Sequence, residues 1–448
     1  MRQPSRPPPT TQILSDISPE DLAQVFQSQP TPLVGGHYLH WDELRHRRPP
    51  DGLTLELWWL GIRTARLALA QPLPFLDKDG KAFTFGVPEP VQIHLHHVDQ
   101  DAAGQIRTPS EVITPERRDE YLVRSLIEEA VTSSQLEGAS TTRRVAVDML
   151  RAGRKPRDHS ERMIFNNFRT MQSIQGLRAQ PMTVERLLEL HGMIAEGTLQ
   201  EAGKEGRLRT SDDIRVVDSS DGAILHQPPR HEELRERMER LCAFANASEN
   251  ARPFVHPVIR AILLHFMIGY DQPFEDGNGR TARALFYGSM LRSGYWLTEF
   301  LAISRILKKA PAQYSRAYLF SETDAGDTTY FLLHQLETIR KAIAGLHEYL
   351  ARKAGEQQSV ERLLAVSPEL QARLNQRQRV LLAHALRHPE ARYRIEAHQR
   401  SQGIVYQTAR TDLLELAALG FLKRFKEGKA YVFSPPADLA QRLQALDR

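Results

Sequence analysis

The run Asp271-Gln272-Pro273-Phe274-Glu275-Asp276-Gly277-Asn278-Gly279-Arg280-Thr281-Ala282-Arg283 holds the residues best suited to chemistry. Gly277, Asn278 and Gly279 form a small-residue loop directly ahead of a helical stretch, RTARALFYGSMLRSG. Such a loop can aim successive N–H groups at an anion, and the helix N-terminus adds partial positive charge. Arg280 and Arg283 fall in the first turn of that helix, three apart on nearly one face. Each cation there is disfavoured by roughly 0.3–1 kcal/mol, so two together point to a bound polyanion. Short glycine motifs are common, however, and a solvated turn whose arginines pair with surface carboxylates is the plainer alternative.

A second constellation closes the stretch RDEYLVRSLIEEAVTSSQLEGA. Glu137 stands in the last helical turn just before Gly138, where the helix dipole disfavours a carboxylate. It calls for a cationic partner, or else is an exposed glutamate beside a C-cap glycine. Other candidates are weaker. In QIHLHHVD, His94 and His96 share one face of an expected strand, with His97 beside them, but no third metal ligand follows at suitable spacing. LDKDGK opens like a calcium loop, lacks the later acidic ligand and reads as a turn. Tyr38, His40 and Trp41 look like packing, and the single cysteine, Cys242, like a small core residue on a helical stripe.

The elements that must position these residues are mostly helical. HPVIRAILLHFMIGY places Ile259, Ile262, Leu263, Phe266, Met267 and Tyr270 at helical spacing, and Asp271-Gln272-Pro273 stops it. Residues 1–30, rich in Pro, Ser and Gln, read as a loose arm. Residues 31–110 read as a small α/β domain, with GLTLELWWLGIRTARLAL helical and KAFTFGV and VQIHLHHV as strands. Residues 111–366 read as helical, interrupted by a β-hairpin in IRVVDSSDGAILHQPP. Residues 367–448 form a further unit of three helices and a strand pair around Glu427-Gly428. The fold class expected is therefore mainly α.

The string Gln272-Pro-Phe-Glu-Asp-Gly-Asn-Gly-Arg-Thr-Ala-Arg283 resembles the Fic-family pattern His-Pro-Phe-x-Asp/Glu-Gly-Asn-Gly-Arg-x-x-Arg at every specified position but the first. The resemblance extends over most of the chain from about Gly35 onward. Fic proteins bind ATP and usually transfer AMP to a hydroxyl of a target protein, or to themselves. It implies that Asp276 holds Mg²⁺, that Gly277, Asn278, Gly279 and Arg280 cradle the phosphates, and that Arg283 holds the γ-phosphate. Phe274 would anchor the loop in the core. The hairpin residues Ile214, Arg215, Val216, Val217, Ala223, Ile224 and Leu225 would form the flap that lays a target segment beside the α-phosphate, with Arg207 and Arg209 ahead of it. Ser133, Glu137 and Gly138 match the family's inhibitory helix, whose glutamate pairs with the second arginine, here Arg283. Gln272 occupies the general-base position and cannot carry a proton away. Losing a general base typically costs about 10²–10⁴-fold. Asp271 and His265 are neighbouring titratable groups that could stand in.

The last unit resembles a winged helix-turn-helix. Ala409, Leu413, Leu416 and Leu419 or Gly420 make the core stripe of its third helix, leaving Tyr406, Gln407, Arg410 and Thr411 near the exposed start. Between Arg373 and Ser434 there are twelve Lys/Arg against five Asp/Glu, with Lys423, Arg424, Lys426 and Lys429 around the wing. That suits a DNA backbone. Winged helices also dock proteins or form homodimers, and fold does not fix function. The chain's 448 residues, 41% hydrophobic and 25% charged, with a net charge of +4, suit a multidomain globular protein. No apolar signal region or membrane-length stretch stands out, so no membrane role and a cytoplasmic location are expected. Two functions follow: an adenylyltransferase site held off by Glu137 and crippled at Gln272, or a non-catalytic ATP-sensing regulator that binds DNA or acts as a scaffold.

Overall fold

Helix-start signals and apolar spacing decide most of the elements. The structure, a computed structural model, describes all residues except Met1, 104–114, 175, 177–179, 219–221, 249, 428–429 and 447–448. The chain divides into two compact units, Met1–Ile106 with Val123–Ala344, and Arg107–Leu122 with Gly345–Arg448. It is mainly α-helical.

The first unit opens with α1 (Thr10–Asp16) and α2 (Pro19–Gln27), where a loose arm was expected. The reason is local. The Ser18 side chain accepts from the Asp21 N–H, Pro19 takes the first turn, and Glu20 and Asp21 complement the dipole. Val25 is buried, and Ile13 packs on a cluster of Leu44, Trp59 and Ile62. Those residues belong to α3 (Trp41–Leu44) and α4 (Leu55–Leu67). β1 (Gln71–Leu76) and β2 (Ala82–Phe85) pair antiparallel. Between them Asp77 Oδ1 accepts from the N–H groups of Asp79 and Lys81, a plain turn as expected.

The histidine-rich stretch is a helix, α5 (Glu89–Val98), and not a strand. Pro90 suits the first turn, and Val91, Leu95 and Val98 bury one face at helical spacing. His94 and His96, two apart on a helix, therefore diverge. His94 Nδ1 takes Arg340, while His96 Nε2 lies 2.9 Å from Gln100. Among the described residues no cluster of three or more His, Cys, Asp or Glu could hold a metal.

There follow α6 (Pro115–Leu136), α7 (Arg143–Arg151), α8 (His159–Ser173) and α9 (Val184–Ala195). The hairpin is short, β3 (Val216–Val217) against β4 (Ile224–His226). After α10 (Leu234–Ala245) come α11 (Pro257–Asp271) and α12 (Asn278–Arg292), the pair that carries the site. α11 is buried on all sides, which is why its sequence is apolar all round. α13 (Ile303–Lys309), α14 (Pro311–Thr323) and the first part of α15 (Thr329–Val366), a helix whose residues from Gly345 belong to the second unit, complete the helical run. The segments expected as a separate α/β domain and a helical core pack together in this unit. Arg66 lies 3.7 Å from the Tyr38 ring centroid and donates to the Tyr330 hydroxyl, while the Tyr38 hydroxyl donates to Asp327. A satisfied buried polar network of this kind fixes one arrangement.

The second unit holds α16 (Pro368–Arg373), α17 (Gln376–Arg387), β5 (Tyr393–Arg394), α18 (Ile395–Gln402) and α19 (Tyr406–Ala418). It ends with β6 (Lys423–Glu427), β7 (Ala430–Ser434) and α20 (Leu439–Leu446). The sheet has three strands in the order β5-β7-β6, one more than the strand pair expected. Ala409, Leu413 and Leu416 are fully buried, but Leu419 is 40% exposed. Gly420, at φ +78°, turns the chain so that Phe421 and Leu422 enter the core instead. Gly428 and Lys429 lie outside the described residues.

Candidate functional site

The loop between α11 and α12 is held from every side. Gln272 ends α11 at φ 43°, a left-handed conformation that costs a non-glycine residue about 1–3 kcal/mol. Arg209 Nε donates to the Gln272 carbonyl at 2.9 Å, and the Gln272 amide donates to Gly269 O at 2.7 Å. Phe274 is fully buried and stacks on His191 with ring centroids 3.7 Å apart. Asn278 folds its side chain back, accepting from the Phe274 N–H and donating to the Phe274 carbonyl. His191 accepts from the Gly206 N–H at Nδ1 and so donates from Nε2 to Asp276 O, 2.9 Å away. Burial pushes the His191 pKa down to about 4, so the ring is neutral in this role. Gly277, at φ +80°, then lets the chain enter α12.

α12 begins at Asn278, so Arg280 lies in its first turn and Arg283 in its second, one turn later than expected. Both guanidiniums are buried. Arg280 Nη2 is 3.3 Å from Asp276 Oδ2, and its Nε has no partner. Arg283 Nε donates to Ser133 Oγ at 2.8 Å, and its Nη2 to Ser133 O and to Glu137 Oε1 at 2.7 Å. Arg283 Nη1 is buried without a partner. Burial works against the Arg283 charge, yet Glu137 holds its pKa above that of an ordinary arginine. Glu137 stands one residue beyond α6, with Gly138 at φ +93° behind it. A Cβ added at Gly279 would lie 2.0 Å from Glu137 Oε1, so the glutamate sits against the backbone of the cradle itself.

Glu137, Gln272, Asp276, Asn278, Gly279 and the hairpin line a cleft of about 640 Å³, with the Arg280 and Arg283 guanidiniums buried behind that lining. The Asp276 carboxylate is half exposed towards it. Two buried guanidinium nitrogens without partners, a glycine loop and one half-exposed carboxylate suit a polyphosphate carrying its own magnesium. That ion usually takes one or two carboxylates plus phosphate oxygens. On the hairpin, Ile214, Arg215, Val216, Val217 and Leu225 line the cleft. Ile214, Arg215 and Ala223 lie outside the paired strands, although Ala223 O accepts from the Asp218 N–H.

Neither neighbour of Gln272 is placed to replace a base. Asp271 is buried beside Arg237 at 3.2 Å, and burial pushes its pKa up to about 7. His265 is fully buried with Nε2 2.7 Å from the Tyr314 hydroxyl, and burial lowers its pKa strongly. Neither lines the cleft. His226, at the end of β4, does line it and was missed. Its Nε2 lies 2.6 Å from Tyr270 O and its Nδ1 2.8 Å from Glu322, so both nitrogens are engaged. His191 was missed as well. Each acts through contacts distant in sequence, and spacing gives no signal for those.

In the second unit Tyr406, Gln407, Arg410 and Thr411 are exposed along the start of α19. Lys426 is exposed on β6 with Nζ 5.6 Å from the Tyr431 ring. Glu427 pairs with Arg392 and Arg394, which offsets part of the local positive charge.

Residues 181–288, which include the whole cradle, match the Fic/DOC family. Those residues carry a Fic/DOC-family domain. The chain is 31% identical over 120 residues to a protein adenylyltransferase Fic of Nematostella vectensis, covering 26% of this chain and 25% of that protein. Against the protein adenylyltransferase Fic of Drosophila ananassae it is 26% identical over 198 residues, 44% of this chain and 37% of that one. The chain thus spans well under half the length of the curated relatives it matches. A crystal structure of a Fic family protein from Desulfovibrio desulfuricans G20 shares the fold. Its TM-score is 0.50 at 17% identity, over 78% of this chain and 96% of that one.

Proposed function

We propose that the cleft binds Mg·ATP in a site designed for AMP transfer to a protein hydroxyl. We propose further that Glu137 holds the site off and that Gln272 leaves it without its base. The observation that carries this reading is the Arg283–Glu137 pair inside the cradle, 2.7 Å long, on a guanidinium that still has an orphaned nitrogen. A γ-phosphate would take the place of that carboxylate.

Gly277, Gly279 and the first N–H groups of α12 would receive phosphate oxygens, with Arg280 and Arg283 neutralising charge. Asp276 would hold the magnesium ion, which supplies Lewis-acid stabilisation of the leaving pyrophosphate. The flap would align a target segment by strand pairing. In the transfer, a hydroxyl oxygen bonds to the α-phosphorus, the α–β bridging bond breaks and pyrophosphate leaves. The hydroxyl proton needs an acceptor. The Gln272 side chain donates to Gly269 O and has no titratable nitrogen, so efficient turnover is not expected.

The test compares four proteins, unaltered, Gln272→His, Glu137→Gly and the double variant, using ATP tagged at the α-phosphate. Each single variant should label protein little. The double variant should label at least tenfold faster than the two singles summed, with a rate rising through the histidine's titration near neutral pH. Equal labelling by the unaltered chain would overturn the reading. The second reading, a nucleotide-sensing regulator, rests on the exposed row at the start of α19 together with the missing base.

A further inference from the structure

One contact joins a segment far outside the Fic-family match to the edge of the flap. Gln3 Nε2 donates to Ile224 O at 3.0 Å and to Leu225 O at 3.3 Å, both on β4. Two residues on, the Ser5 N–H donates to Asp42 Oδ1 at 3.0 Å, and Arg45 donates to Ser5 Oγ at 2.7 Å. Pro4 between them is buried. Within residues 2–9, RQPSRPPP, Gln3 thus meets the flap and Ser5 meets α3 and Arg45 just beyond it.

The composition of the segment shapes what it can do there. Pro4, Pro7, Pro8 and Pro9 have no N–H, so the segment cannot continue a β-ladder. Pro9, at φ −59° and ψ 127°, is close to polyproline geometry. The flap is a two-stranded hairpin with Val217 and Ile224 half exposed, an open edge of the kind that recruits an added strand. Residues 2–9 meet two of its carbonyls with one side-chain amide in place of a run of backbone N–H groups. A strand added on that edge would satisfy, with regular backbone N–H donors, the one of these two carbonyls that points outward. The hold is therefore weak, since two neutral hydrogen bonds from one amide group, one of them solvent-exposed, contribute little net.

We propose that residues 2–9 occupy the flap's docking edge in cis, and that an extended target segment with backbone N–H donors must displace them to reach the cleft. The proposal rests on the reading of the flap as the target-docking element. It adds a third restraint to those at Glu137 and Gln272, one that acts on target access and not on nucleotide pose.

The test uses the full chain with Gln3→Ala and Ser5→Pro combined, which removes both the amide donor and the Ser5 N–H. Hydrogen exchange of the Ile224–His226 amides should accelerate at least threefold in this variant. In the Gln272→His/Glu137→Gly background, the same two changes should raise labelling of added protein at least threefold and leave ATP affinity unchanged. Unchanged flap exchange would show that the segment does not dock. Faster exchange with unchanged labelling would show that it docks away from the target's path, and either result overturns the proposal. If the background binds no ATP, the nucleotide reading falls and takes the obstruction with it, while exchange alone still reports the docking.

Discussion

Glu137 and Arg283 form the pair on which the site turns. Arg283 is buried to 1% exposure, whereas Glu137 keeps 26% of its side chain accessible. Removing a partner from such a pair strands a charge, and partial exposure reduces the usual penalty. Glu137→Gly is therefore expected to destabilise the chain by about 1–3 kcal/mol in the absence of nucleotide. Saturating Mg·ATP should return most of that loss, because a ligand bound only to the folded state stabilises it by mass action. Thermal melting with and without Mg·ATP checks this. A Glu137→Gly protein that melts lower and gains nothing from Mg·ATP would remove the γ-phosphate role of Arg283. Gln272, Asp276 and the arginines were legible in the sequence because a short string fixes them. His191, which pins Asp276 O, and His226, which ties β4 to α11 and α14, were not. Their partners lie 85 and 44 residues away.

Elements with end signals were read correctly where the signal was local. α11 has a Pro at its start and a Gln-Pro stop, and the hairpin flanks a polar turn. In two places composition points away from what these local signals dictate. VQIHLHHV alternates in print, yet Pro90 and the Val91, Leu95, Val98 spacing make it a helix. Ser18-Pro19-Glu20-Asp21 is a complete helix start hidden in a Pro- and Gln-rich stretch. In the second unit, α19 and β6 offer a test of the regulatory reading. If they hold DNA, Arg410→Ala at the start of α19 should relax sequence preference, since side chains there reach base edges. Lys426→Ala on β6 should weaken all sequences about equally and reduce the salt slope by about one. Fluorescence anisotropy of the full chain over a salt series distinguishes these effects. No retention of any duplex at low salt would leave the unit to protein docking.

At the scale of the whole molecule, burial shifts several titrating groups towards their uncharged forms. Burial drives His40 down to about 3 and His334 down to about 4, while it raises the carboxyls of Asp271, Asp324 and Glu129. The two sets act with opposite sign. A histidine whose folded pKa is depressed leaves the folded state without a proton that the unfolded chain takes up near 6.5. Its contribution is present above pH 6.5 and is lost as pH falls towards 4. A carboxyl with a raised pKa contributes most below about 4 and loses that contribution as pH rises through its folded value, about 7 for Asp271. The net acid profile is thus a difference of similar quantities, and a single variant isolates one of them. His334→Gln removes one titrating group from the start of α15, and any packing loss it causes is independent of pH. Between pH 6.5 and 4.5 the unaltered chain should lose on the order of 2 kcal/mol relative to the variant. Chemical denaturation of both proteins at half-unit pH steps measures this. Parallel stability curves would mean that His334 takes up its proton in the folded chain as readily as in the unfolded one, with Glu337 offsetting the effect of burial.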